Sequence, residues 1–143
     1  MRTERDEVVT AVAAVIEQDG KVLLVRRPEG TGLNCWQLPG GAVRFGESLQ
    51  EALRRELKES LGVEAAVRSL TPVFVTQTVL PAESRHVICL LYRAEITGGE
   101  PRPANGLTGC RYFDGDAAAQ APLSRGCRDL LDRLRIWRPA ARR

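Results

Sequence analysis

Leu49, Leu53, Leu57 and Leu61 recur at every fourth position of ESLQEALRRELKESLG, and that spacing commits the segment to one amphipathic helix. At about 100° per residue the four leucines make a stripe about 120° wide, which has to be buried against something. Ser48, with Glu51 three residues on, fits a capping box that opens the helix. Gly62 closes it where a left-handed C-cap favours glycine. The expected helix runs from about Glu47 to Leu61.

The surface that receives the stripe is built from strands. Val8–Ile16 (VVTAVAAVI) and Lys21–Val25 (KVLLV) are apolar runs separated by Gln18-Asp19-Gly20, a strong hairpin signal because glycine supplies the positive φ of such a turn. Pro28–Leu33 (PEGTGL) reads as a loop, and Trp36–Leu38 as a brief extended piece. Val67–Thr78 reads as one or two strands and Arg85–Ile96 as the strongest later strand. A Gly98-Gly99 turn follows it, and Cys110–Phe113 is an edge strand. Cys127, Leu130, Leu131, Leu134 and Ile136 lie at nearly helical spacing and place a terminal helix over Leu123–Ile136. The order of strands, helix, strands and helix predicts an α+β chain, one domain over residues 1–143, with helices on both sides of a mixed sheet.

Composition excludes several classes. With 43% apolar and 27% charged residues, neither disorder nor a fibre is expected. No apolar run approaches the ~20 residues of a membrane helix, and the charged start, Met1–Glu7, lacks a signal-peptide pattern. A cytoplasmic location is the expectation. The net charge is +3, with Arg133, Arg135, Arg138, Arg142 and Arg143 forming a basic tail. This tail reads first as a solvated end, and there is no firm nucleic-acid signal. Cys35, Cys89, Cys110 and Cys127 form no CxxC pair, so no zinc or thioredoxin-like motif is signalled and reduced thiols are expected. No dimer seam is legible, and a homodimer stays open.

The helix also gathers charge. With Glu56 as zero, Glu59 falls at about −60° and Ser60 at about +40°, one arc of roughly 100° beside the leucine stripe. Clustered carboxylates repel and call for a cation, and hard divalent ions take oxygen ligands while leaving room for phosphates. A solvated face with a local Glu51–Arg55 pair accounts for the helix taken alone.

The wider register separates these readings. Gly41, five residues, Glu47, seven residues, then Arg55-Glu56-Leu57, Glu59 and Gly62-Val63 closely resemble the Nudix box of the Nudix hydrolases, matching at every specified position except Ser60, where the family pattern has Glu. WQLPGG, just upstream, is also similar to that family. The resemblance implies an α/β/α sandwich across nearly the whole chain and hydrolysis of a phosphoanhydride in a nucleoside diphosphate linked to another moiety. It also implies Mg²⁺ or Mn²⁺ and an attacking water. Carried over by position, it implies a catalytic set of Glu47, Arg55, Glu56 and Glu59. The Gly40 carbonyl, Glu56 and Glu59 would be metal ligands. Glu56 would also orient or deprotonate water, and Glu47 with Arg55 would brace the loop before the helix.

Arg26 and Arg27 at the end of the second strand, and Arg44 in the box loop, are candidate phosphate clamps, since a guanidinium matches phosphate in bidentate fashion. Trp36, Phe45, Phe74 and Tyr112 are each candidates for a stacking platform or for the core. His86 reads as structural.

Two departures from the pattern stand out. Ser60 is neutral and short, and PRPANGLTGCRYF, Pro101–Phe113, holds no acid where many members carry one. Glu83, Asp114 and Asp116 are the nearby acids, and none is in the expected place. Gln77–Leu80, fifteen to eighteen residues past Gly62, hold neither Pro nor Tyr to mark a substrate subgroup. The expectation is a working hydrolase in which substrate phosphates complete the metal shell. The alternative is a weakened domain that binds a nucleotide or related diphosphate as a sensor or partner module, and a prenyl or sugar diphosphate is a third reading.

Overall fold

The computed structural model describes residues 5–27, 35–123 and 125–134. The Pro28–Leu33 loop, Ile136, the side chains of Leu130 and Leu134, and the tail arginines beyond Arg133 lie outside that description.

Strand β1 (Glu7–Val15) is followed by a short β2 (Glu17–Gln18), β3 (Lys21–Arg26), β4 (Trp36–Gln37), β5 (Gly40–Ala42) and helix α1 (Leu49–Leu61). Then come β6 (Glu64–Ala66), β7 (Phe74–Leu80), β8 (Arg85–Arg93), β9 (Glu95–Gly98), β10 (Gly109–Phe113), α2 (Gly115–Gln120) and α3 (Arg125–Leu134). One four-stranded sheet has the order β5-β1-β8-β7, with β1 and β8 parallel and the outer pairs antiparallel. A second sheet has the order β10-β3-β2, with β4 also on β3, and β6 pairs with β9.

The expected hairpin exists only at its tip. Asp19 and Gly20 take positive φ, and Gln18 faces Lys21, but β1 itself pairs with β8 in the other sheet. The chain changes sheets at Ile16, which a pattern of local apolar runs does not reveal. Arg85–Ile96 likewise divides at Ala94 into β8 and β9. The extended structure expected from Val67 begins only at Phe74, while β6 forms just after Gly62. Cys110–Phe113 is an edge strand as expected, and α2, capped by Asp114 accepting from the Ala117 amide, is an additional helix.

Alternation along the central strands explains the sandwich. Leu23 and Val25 face a core shared with Leu53, Leu57 and Leu61 of α1, whereas Val22 and Leu24 face Phe113, Ala118, Cys127 and Leu131 on the α2–α3 side. A strand covered on both faces reads as a continuous apolar run, which is why KVLLV lacks a polar alternation. Ser48 Oγ accepts from the Glu51 amide and Gly62 has φ 70°, so α1 starts and stops where its caps dictate. Among the described residues no helix is long and apolar enough to cross a membrane, and no disulfide links the four cysteines.

Candidate active site

The site grows from the way α1 meets β5. Gly41 passes so close to α1 that a β-carbon there would lie 2.4–2.5 Å from the Glu56 carboxylate, so glycine is what lets this acid rest against the strand. The β5–α1 turn is closed by the Glu47 amide donating to Arg44 O and by the Arg44 amide donating to Glu47 Oε1.

Arg55 ties the acids together. Its Nε donates to Glu47 Oε2 at 2.6 Å and its Nη2 to Glu47 Oε1 at 3.0 Å, a bidentate pair. Nη1 donates to Glu56 Oε1 at 2.9 Å and to Glu59 Oε2 at 3.3 Å, and Nη2 also reaches Ala42 O at 2.9 Å. The Arg55 bonds hold the Glu47 carboxyl down to about 2 from its ordinary 4.5, and the same partners raise the Arg55 guanidinium. Arg44 Nη2 lies 3.6 Å from Glu59 Oε2.

Glu56, Glu59 and Arg44 border a cleft of ≈ 520 Å³. Glu56, Glu59, Gly40 and Gly41 line one end of it, together with Arg27 and Arg44, and Arg27 Nη2 donates to Gly40 O at 3.2 Å. The donor set is entirely oxygen: two carboxylates and one carbonyl. That set suits Mg²⁺ or Mn²⁺, which bind through one or two carboxylates and keep positions for water and phosphate. Among the described residues no three His, Cys, Asp or Glu side chains gather as a metal site.

The NUDIX domain matches residues 6–134. The chain belongs to the Nudix family. The ADP-ribose pyrophosphatase of Methanocaldococcus jannaschii is 36% identical over 104 residues, 73% of this chain and 60% of that protein. The CTP pyrophosphohydrolase of Escherichia coli K12 is 47% identical over 62 residues, 43% of this chain and 46% of that one. The chain therefore spans roughly half of the length of these two relatives. The crystal structure of a MutT NUDIX hydrolase from Burkholderia pseudomallei superposes with a TM-score of 0.75 at 29% identity, covering 89% of this chain and 98% of the other.

In this Nudix domain the box residues Glu47, Arg55, Glu56 and Glu59 come together, as do Gly40, Arg27 and Arg44. Arg26 does not join them, because neighbouring strand residues face opposite ways. Its guanidinium lies 5.1 Å from the Trp36 ring centroid, and it is not among the cleft's lining residues. None of the four aromatic candidates lines the cleft either. Trp36 packs edge-on to Phe113 in the core, Tyr112 and Phe74 are half-buried, and Phe45 is fully exposed. His86 Nε2 and Gln77 Oε1 lie 2.8 Å apart between β8 and β7, which fits its structural reading.

Ser60 is buried, at 5% exposure. On the helical wheel its direction, about +40°, falls between Leu49 at about +20° and Leu53 at about +60°, so it sits inside the apolar stripe rather than beside it. The loop without an acid reaches the same place: Ala104 N donates to Ser60 O at 2.8 Å and Arg102 N to Leu61 O at 3.0 Å. Asn105, with φ 52°, lines the cleft along with Ser60. A search for acids passes over Asn105, although the Asn105-Gly106 turn was a visible signal. Arg85 is a second residue missed at the cleft, and alternation along β8 is the pattern that points to it.

Proposed function

We propose that this Nudix domain hydrolyses a phosphoanhydride bond in a nucleoside diphosphate linked to another moiety, using Mg²⁺ or Mn²⁺. The observation that carries this reading is the pair of carboxylates, Glu56 and Glu59, bridged by one guanidinium nitrogen at a cleft end that also holds Arg27 and Arg44. The two relatives, an ADP-ribose pyrophosphatase and a CTP pyrophosphohydrolase, support nucleotide diphosphates as the substrate class.

The residues that would hold the cation are Glu56, Glu59 and the Gly40 carbonyl. When bound, it supplies neutralisation of phosphate oxygens and a lowered pKa for water. Glu56 orients the attacking water and accepts its proton, and the carboxylate resting against Gly41 is already fixed in direction. Arg27 and Arg44 orient the phosphates through charge-assisted bonds. Glu47 and Arg55 keep the β5–α1 turn and the two acids in register. We place the domain in the cytoplasm as a further part of this proposal.

A second reading rests on Ser60 and on Pro101–Phe113: a buried neutral side chain and a loop with no acid support a domain that binds a nucleotide as a sensor or partner module. A panel of diphosphate compounds with Mg²⁺ and Mn²⁺, read by product release and by thermal shift, separates the two. Turnover that disappears in Glu56→Gln supports the hydrolase, and binding without turnover selects the sensor.

A further inference from the structure

Strand β7 (Phe74–Leu80) is an edge left open. It pairs with β8 on one side only and keeps unbroken register with it over all seven residues. An outer strand presents a row of unpaired N–H and C=O groups, and folded proteins guard such rows with charges, prolines, bulges or short length. Among the described residues the other outer strands carry these guards. β5 is three residues long and β2 and β4 are two each, β10 carries Arg111, and β6 and β9 each carry a glutamate. β7 reads FVTQTVL, with no charge and no bulge, and the nearest prolines, Pro72 and Pro81, lie outside it. Its Val, Thr and Phe residues favour extended structure.

Val75 and Val79 of β7 are 53% and 59% exposed. Val79 faces His86, which in turn faces Val8, itself 59% exposed, so uncovered valines run across this face to the rim of the sheet. Single exposed valines are ordinary; their order along β7 is not. Val75-Thr76-Gln77-Thr78-Val79 reads the same in both directions. When two such strands lie antiparallel about a two-fold axis between their Gln77 residues, Val75 meets Val79 of the second copy, Thr76 meets Thr78, and Gln77 meets Gln77. Every inner side chain then faces its own kind. Val–Val and Thr–Thr pairs across neighbouring strands are stabilising, and no like charges oppose each other.

We propose that β7 is the seam of a homodimer, in which two copies of this chain pair β7 with β7 antiparallel about Gln77 and extend the four-stranded sheet into one of eight strands. The contact is isologous and closes on itself, because it consumes the open edge of both copies. An unrelated partner would gain nothing from a strand that reads the same both ways. The axis stands normal to the sheet, so the faces that carry Val87 and Cys89 of the two clefts lie on the same side. A seam of one strand from each copy is a small interface, which sets the dissociation constant on the order of micromolar. The dimer does not depend on turnover at Glu56.

The test is sedimentation velocity of the full chain over a concentration series. The parent should approach twice its 15.7 kDa mass as concentration rises. Val75→Lys combined with Val79→Lys sets lysine against lysine twice and should weaken the dimer by roughly tenfold or more. Val75→Lys combined with Val79→Glu sets lysine against glutamate twice and should restore it. Within one copy the two positions are about 13 Å apart at roughly 3.3 Å per residue, so this rescue reads contact between copies and the antiparallel direction together. A third variant, Gln77→Lys, opposes like charges at the axis and should also dissociate the dimer. Both valines and Gln77 are exposed, so all three variants should keep the parent's circular dichroism spectrum. A parent that stays monomeric, a dimer that survives the paired lysines or Gln77→Lys, or a lysine–glutamate variant that folds and stays monomeric overturns the proposal.

Discussion

At the Gly41 side of α1 the cleft is bordered by charge held through side chains: Arg55 bonds Glu47, Glu56 and Glu59 and reaches Ala42 O as well. One turn on, at Ser60, the same helix is neutral and is held through main-chain bonds from Ala104 and Arg102 to the carbonyls of Ser60 and Leu61. The first region gathers three carboxylates around Arg55, with Arg44 Nη2 3.6 Å from Glu59 Oε2. The second buries a hydroxyl-bearing residue within the leucine stripe and closes a loop over it. The contrast supports the proposal that two acids hold a metal and that the ligand's own oxygens complete its coordination.

Breaking the charged side should have the largest effect. Arg55→Ala leaves three carboxylates without their shared partner, and activity should fall at least 100-fold on a diphosphate substrate. The melting temperature should fall by about 5 °C. A variant that melts and turns over like the parent would remove Arg55 from the account.

Adding charge to the neutral side should have the next largest effect. Ser60→Glu puts a carboxylate at a position only 5% exposed, so the metal-free protein should lose about 1–3 kcal/mol in urea unfolding. Added Mg²⁺ or Mn²⁺ should restore more stability to this variant than to the parent, because the new oxygen faces the cleft that Glu56 and Glu59 line. Calorimetry showing no gain in metal affinity would mean that this part of the helix does not face the metal.

The smallest effect concerns pH. Arg55 holds the Glu47 carboxyl at about 2, below its ordinary 4.5. A lowered folded-state pKa gives stability that is complete above about 4.5 and is lost as the pH falls toward about 2. The stability difference between the parent and Glu47→Gln should therefore be constant from pH 7 to about 5 and shrink below that. A difference that does not change with pH down to about 2 would contradict the Glu47–Arg55 pairing.

What was legible in the sequence follows from how local each signal is. The leucine period, Ser48 and Gly62 fixed α1 to within two residues at its start, because caps and faces are local properties. The box acids came together as expected, since helical spacing fixes their relative directions. The switch of sheets at Ile16 and the break at Ala94 depend on which distant strand wins the pairing, and no local pattern records that. Arg26 and Arg27 could not both face the cleft, because side chains alternate along the chain at the end of β3, and Arg27 is the one that lines it. Asn105 and Arg85 reach the cleft through a loop closure and a strand pairing more than twenty residues from the box, so the box alone did not point to them.

The most direct test of the central claim measures Mn²⁺ affinity with and without a non-hydrolysable nucleoside diphosphate, in the parent and in Glu56→Gln. If two acids and the ligand's phosphates share the metal, the diphosphate should tighten Mn²⁺ binding in the parent by at least tenfold, about 1.4 kcal/mol of coupling, and Glu56→Gln should abolish that gain. Equal affinity with and without the diphosphate, or a gain that survives in Glu56→Gln, would contradict it.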